Sequence, residues 1–204
     1  MMLDVSDRLA VIVSGGEVAV RKAQGLLSAG AKCVRVVSPE IAEEMPAEVE
    51  QVRAFFEPAH LDGAGLVFAA TNSSDVNSTV VEEARRRGLL VNRADTDASV
   101  PGDFATPAIW RRGPVTLTVS TSGSAALAVK VRDDLASRIN PVHLMMASAM
   151  ESLRPALRSA RKLSPMRRRE ALRSLAGDDA MAALKSGGMG GLKKWLRTKF
   201  PELS

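Results

Sequence analysis

A chain of 204 residues with 46% apolar and 25% charged residues has the make-up of a folded globular protein, long enough for one large domain or two small ones. Aromatics are 3% of the chain and tyrosine is absent, which argues against the exposed stacking rings of RNA-binding sheets and single-strand channels. The net charge of +5 is unevenly held: residues 1–150 carry 15 Lys and Arg against 18 Asp and Glu, whereas residues 151–204 carry 13 against 5.

One cysteine, Cys33, excludes an intramolecular disulfide, and no Cys/His cluster has the spacing of a zinc site. The apolar run that follows Asp4, Asp7 and Arg8 is too short for a membrane span and has the wrong flanks for a signal peptide. The expectation is a cytoplasmic protein with no membrane partner and no bound metal.

The first element is the apolar run Leu9 to Val13, of strand length, followed at once by Ser14-Gly15-Gly16 and a helix-like stretch from Glu17 to Ser28. Gly30 ends that helix, and Cys33 to Val37 reads as a second strand stopped by Ser38-Pro39. A third strand is expected near Gln51 to Phe56 and a fourth over Leu66 to Ala70. Asn72 to Asp75 then caps a helix from Val76 to Arg87, with three arginines at its negative end and Gly88 as its stop. Leu89 to Asn92 is the fifth strand. Strands alternating with helices predict a parallel sheet with right-handed crossovers, covered on both faces.

Past Asp95 the pattern changes. Two strand-like runs, Asp103 to Trp110 and Val115 to Val119, flank Arg111-Arg112-Gly113-Pro114, as in a hairpin. The helix that follows places Leu127, Val131 and Leu135 on one stripe, and a hairpin with one helix is too small to stand alone. From Pro141 the chain reads as two or three helices, broken at Ser164-Pro165, at Gly177 and at a mobile glycine-rich hinge over residues 187–191. The predicted architecture is α/β: a Rossmann-type parallel sheet over residues 1–113, a small α+β dimerisation segment over 114–140 and a C-terminal helical domain over 141–204.

Ser14-Gly15-Gly16-Glu17-Val18-Ala19 takes the place of the G-x-G-x-x-G/A fingerprint, directly after a strand and opening a helix. Gly16 would let the backbone approach a pyrophosphate, and the helix start would supply unpaired N–H groups and partial positive charge. Ser14 stands where the first glycine is usual, so a plain strand-to-helix turn is the alternative. At the end of the second strand, Ser38-Pro39-Glu40 offers Ser38 or Glu40 to an adenosine ribose, with no arginine next to it for a 2′-phosphate. That favours NAD over NADP. The ends of the fourth and fifth strands bring Ala70-Thr71-Asn72 and Asn92-Arg93-Ala94-Asp95 to the edge that borders the ligand crevice of an open parallel sheet. Asp95 is placed there to act as a general base, its pKa raised by partial burial, or to hold a cationic group, or merely turns a loop.

Together these residues resemble the precorrin-2 dehydrogenase and sirohydrochlorin ferrochelatase family, which also forms the N-terminal half of siroheme synthase. The resemblance runs through Gly15-Gly16-Glu17-Val18-Ala19 with Arg21-Lys22, then Ala69-Ala70-Thr71-Asn72 with Asn77. It continues through Asn92-x-Ala94-Asp95, Asp103-Phe104, Pro107-Ala108, and Ser120-Thr121-Ser122-Gly123 leading into Ala128-x-Lys130-x-Arg132. It implies NAD-dependent oxidation of precorrin-2 to sirohydrochlorin in siroheme, a tetrapyrrole, biosynthesis. Asp95 matches the catalytic aspartate, with the cofactor held at Ser14, Gly15, Gly16, Glu17, Val18, Ser38, Pro39, Ala70, Thr71 and Asn72. Ser120, Thr121 and Ser122 fall on the substrate side. It also implies a homodimer exchanging contacts through the middle segment, and metal insertion in the same crevice or by a separate chelatase.

Two departures stand out: the run after Ser120 is one residue shorter than in the family and lacks its Ser-Pro, and the loop from Thr96 to Gly102 is longer. A basic tail would attract a substrate bearing eight carboxylates. His143, in a helical stretch, reads as a partly buried structural histidine or one able to approach a metal, and Met145, Met146 and Met150 read as helix core. The competing readings are an NAD(H)-sensing module without catalysis, and nucleic-acid binding through Arg167-Arg168-Arg169 and Lys193-Lys194.

Overall fold

The computed structural model describes residues 3–95 and 100–203. The chain divides into two compact units between Thr106 and Pro107.

In the first unit, β1 (Leu9–Val13), β2 (Cys33–Val37), β3 (Glu50–Val52), β4 (Ala64–Ala69) and β5 (Leu90–Arg93) form one sheet in the order β3-β2-β1-β4-β5. Every pairing is parallel. Buried on both faces, the inner strands β1 and β4 are apolar rather than alternating, and Val11, Ile12, Val36 and Val67 are fully shielded from solvent. Each such side chain contributes about 1.5–3 kcal/mol by leaving water.

One face of the sheet packs Ala10, Ile12, Val36 and Phe68 against Ala19, Val20, Ala23 and Leu26 of α1 (Glu17–Ser28). The other packs Val11, Val67 and Val91 against Val80, Val81 and Ala84 of α2 (Ser74–Arg86). α2 begins at Ser73, whose side chain accepts the N–H of Val76, and closes with Arg85 and Arg86 at the end where the helix dipole is negative. The strand order reverses direction at β1, with β2 on one side and β4 on the other. This is the place where the crossovers diverge and leave a crevice at the carboxyl ends.

The third strand is shorter than expected. It ends at Val52, and the chain leaves the sheet edge before Phe55 and Phe56.

In the second unit, β6 (Ala108–Arg112) and β7 (Val115–Val119) pair antiparallel about the turn at Gly113, which has φ of 55°. A boundary at residue 113 would cut this hairpin in half, so the division falls before β6 instead. α3 (Ala125–Ser137) lies against both hairpin strands, yet only Ala128 of it is buried, while Leu127 is 51% and Leu135 43% exposed.

Residues 141–204 fall in the same compact unit as the hairpin. α4 (Pro141–Ser159), α5 (Pro165–Ser174) and α6 (Asp178–Lys199) bury Met146, Leu153, Leu157, Leu175, Leu184, Leu192 and Phe200 in a core of their own. The glycine run at 187–191 is no open hinge: it is helical apart from Gly188, at φ 56° and ψ −152°. A Cβ on Gly191 would stand 2.6 Å from the carbonyl oxygen of Ala183, so this close approach requires glycine. Of the three methionines read as core, Met146 is buried and Met150 partly so, whereas Met145 is 48% exposed; His143 is exposed rather than partly buried.

Candidate active site

At the carboxyl ends of β1, β2 and β4 lies a cavity of about 1000 Å³. That is the upper end of the range for small-molecule and cofactor pockets, about 300–1,000 Å³. All ten residues expected to hold a cofactor line it: Ser14, Gly15, Gly16, Glu17, Val18, Ser38, Pro39, Ala70, Thr71 and Asn72.

The two glycines have different tasks. A Cβ on Gly15 would fall 1.8 Å from the carbonyl oxygen of Glu40, so this glycine lets the loop after β2 close over the turn. The Gly15 carbonyl also accepts the N–H of Ala42 at 2.9 Å. A Cβ on Gly16 would meet nothing within 4 Å. Gly16 is the N-cap of α1 and no side chain caps it, so the first-turn amides keep their hydrogen-bonding capacity and the positive end of the helix dipole for a ligand.

Ser14, in place of the first glycine of the fingerprint, is buried, and its N–H donates to the carbonyl of Val37 at 3.1 Å. Among the described residues no non-glycine residue has positive φ, so the serine is accommodated without strain. The residues present fit a dinucleotide: main chain where phosphates would sit, the Ser38 hydroxyl beside Pro39 and Glu40, and an apolar flank.

That flank includes two residues the sequence reading passed over. Phe55 and Phe56 line the cavity, and Phe55 is 80% exposed. Adjacent aromatics directly after a strand, in a chain with five phenylalanines, were the available signal.

Asp95 does not line this cavity. Its carboxylate is linked to the wall through Asn77 and Thr71. Asn77 Nδ2 donates to Asp95 Oδ2 at 2.9 Å, and the same amide is locked onto Thr71, accepting from its N–H at 3.0 Å and its hydroxyl at 2.8 Å. Arg93 grips the carboxylate from the other side, through Nε to Oδ1 and Nη2 to Oδ2. The half-buried carboxylate thus faces a guanidinium, an opposite charge, on that side. Its side chain is 23% exposed. Residues 96–99, in the loop expected to be long, lie outside the described residues.

Asn92 points to the opposite face of β5. It accepts from Lys22 Nζ at 2.7 Å and donates to the Phe104 carbonyl at 2.7 Å. The Lys22 ammonium lies 4.9 Å from the centre of the Phe68 ring. Burial pushes this amine down to about 8, with Arg21 adding repulsion.

Ser120, Thr121 and Ser122 lie between β7 and α3 in the second unit, where the Thr121 hydroxyl donates to the Ser124 carbonyl at 2.5 Å. In the same unit Arg167 pairs with Glu170 and Glu202 and stacks over Phe200, while Arg168 donates to the carbonyls of Arg158, Ala160 and Leu163. These two arginines close the helical core and are poorly available to a nucleic-acid backbone.

Residues 1–108 match a family model described as "Putative NAD(P)-binding". The chain belongs to this NAD(P)-binding family. The NAD(P)-binding chain is also similar to siroheme synthase from Photorhabdus laumondii subsp. laumondii, 35% identical over 194 residues that make up 92% of this chain and 40% of the relative. Siroheme synthase from Chromobacterium violaceum is 38% identical over 165 residues, 78% of this chain and 34% of that one. The chain thus spans about two fifths or less of the length of these curated relatives. Among solved structures, SirC, a precorrin-2 dehydrogenase, superposes with a TM-score of 0.79 over 97% of this chain and 98% of its own at 24% identity, which shows a shared fold.

Proposed function

We propose that this protein oxidises precorrin-2 to sirohydrochlorin with NAD, as a homodimer in the cytoplasm. The observation that carries the reading is the cavity at the ends of β1, β2 and β4, lined by all ten residues proposed to hold the dinucleotide and linked to Asp95 through Asn77 and Thr71. The likeness to siroheme synthases over 92% of the chain supports the substrate class.

Bound NAD would supply the hydride acceptor. The amides at the start of α1 would hold its phosphate bridge, with Gly16 allowing close approach. Ser38, in a loop without a neighbouring arginine, would suit an unphosphorylated ribose. Loss of hydride from the macrocycle must be matched by loss of a proton, and the Asp95 carboxylate, kept charged, is the group to accept it. A bidentate arginine makes Asp95 a weak base, suited to a proton made acidic by the developing positive charge on the substrate.

The dimer reading is supported by Ile109, Leu127, Val129 and Leu135, large apolar side chains 41–51% exposed on β6 and α3. Among the described residues no helix is long and apolar enough to cross a membrane.

The test is an anaerobic assay of precorrin-2 with NAD, following NADH formation, repeated with Fe²⁺ or Co²⁺ as the metal substrate of insertion. NADH formation is expected with the wild type and should drop by about a hundred-fold or more in Asp95→Asn while NAD affinity is retained. Turnover by Asp95→Asn at the wild-type rate would remove the proton acceptor assigned here. NAD binding without turnover by the wild type would favour a sensing module.

A further inference from the structure

The face of β5 turned toward α2 ends in a cation that the dinucleotide site does not use. Arg93 has a side chain only 1% exposed. A buried guanidinium is tolerated when its five N–H donors all find acceptors. Beyond the two bonds to Asp95, Nη1 donates to the Ser78 hydroxyl at 3.0 Å and to the Val100 carbonyl at 3.0 Å. Nη2 also meets the Ser74 hydroxyl at 2.9 Å and the Ser74 carbonyl at 3.1 Å. The guanidinium is therefore fixed by α2 and by the chain that returns after Asp95. Its planar fork leaves the carboxylate little freedom, and Asn77 constrains the same carboxylate from α2.

We propose that Arg93 is the positioning residue for Asp95, setting both the orientation of the carboxylate and its charge from the buried side. This rests on the reading of Asp95 as proton acceptor. The contacts run continuously from Arg93 through Asp95 and Asn77 to Thr71 in the cavity wall, so a change at Arg93 reaches the site without touching cofactor or substrate. Of the neighbouring charged groups, Arg85 on α2 is engaged with Asp103 at 3.1 Å. Among the described residues Arg93 is the cation paired with Asp95, and its loss would raise the proton affinity of that carboxylate.

The test compares the pH profile of precorrin-2 oxidation in wild type, Arg93→Met and Arg93→Lys, with NAD binding by calorimetry as the check on the fold. In Arg93→Met the acid limb of kcat should move up by about one to three pH units. kcat itself should fall by about ten-fold or more while NAD affinity stays within about two-fold. Arg93→Lys, which keeps the charge and loses the fork, should keep the acid limb and lose kcat. Should Arg93→Met fail to bind NAD, Ser78→Ala, which removes one anchor of the guanidinium, should still lower kcat without changing NAD affinity. Wild-type acid limb and kcat in Arg93→Met, or unchanged kcat in both Arg93→Lys and Ser78→Ala, overturn the role of Arg93 alone. Absence of wild-type turnover overturns the dehydrogenase reading, and this role with it.

Discussion

The turn from β1 into α1 and the surface of β6 with α3 follow opposite building rules. In the first, the ligand-facing wall is largely main chain, packed so closely at Gly15 that a single added carbon would overlap the Glu40 carbonyl. In the second, side chains dominate: Leu127, Val129 and Leu135 stand in solvent on a helix that buries one alanine. A site made of backbone is specified by where side chains are absent. The proposed docking surface is marked by apolar side chains that their own unit leaves about half exposed.

The contrast breaks first at the glycines. Gly15→Val should cost about 3 kcal/mol of stability, because the clash is with main chain that has no rotamer to change. Gly16→Ser introduces a good N-cap residue and should leave thermal stability unchanged or raised, yet weaken NAD binding by about ten-fold by projecting into the cavity. Calorimetric titration beside thermal denaturation separates the two effects. If Gly16→Ser bound NAD as wild type does, the phosphate bridge would not rest there.

The docking surface is sharpened by Leu127→Glu, expected to alter monomer stability by no more than about 0.5 kcal/mol while halving the mass measured by light scattering. Smaller effects are expected from the charged groups. The Lys22 amine sits at about 8 in the fold against the usual 10.5, so the unfolded chain binds the extra proton between those values. Native stability therefore rises with pH across that window, and Lys22→Met should flatten the rise in denaturant titrations. Least is expected of Glu83, whose carboxyl is held down to about 2 by hydrogen bonds from Arg86 and Arg87. Its contribution is complete above the usual 4.5 and is lost as pH falls toward 2, a loss that Glu83→Gln should abolish.

How much of this was readable beforehand depended on whether local sequence set the structure. β1, α1 and β2 fall on the expected residues because apolar runs bounded by Gly and Pro allow few alternatives, and the ten residues that line the cavity follow from that placement. The third strand came out short because an edge strand pairs on one side only, leaving Phe55 and Phe56 free to turn into the cavity. The hairpin turn at Gly113 falls where the Arg111-Arg112-Gly113-Pro114 signature puts it.

Arg93 went unread for a different reason. An arginine at the end of a strand looks like a surface residue until Ser74 and Ser78, one helical turn apart, are seen to face it. The same holds for Asp95, whose partners come from α2 and β5, so neither its distance from the cavity nor its guanidinium clamp could follow from sequence spacing. The apolar stripe of α3 was legible as a pattern, but only the fold reveals that Leu127 and Leu135 stay about half exposed in their own unit.

The start of α1 carries one more implication. A helix whose N-cap offers no side-chain acceptor is finished by whatever anion settles there, so occupancy and local folding become a single equilibrium. Amide exchange at Glu17, Val18 and Ala19 should then slow in proportion to ligand concentration while α5 remains indifferent, turning this helix into its own binding gauge.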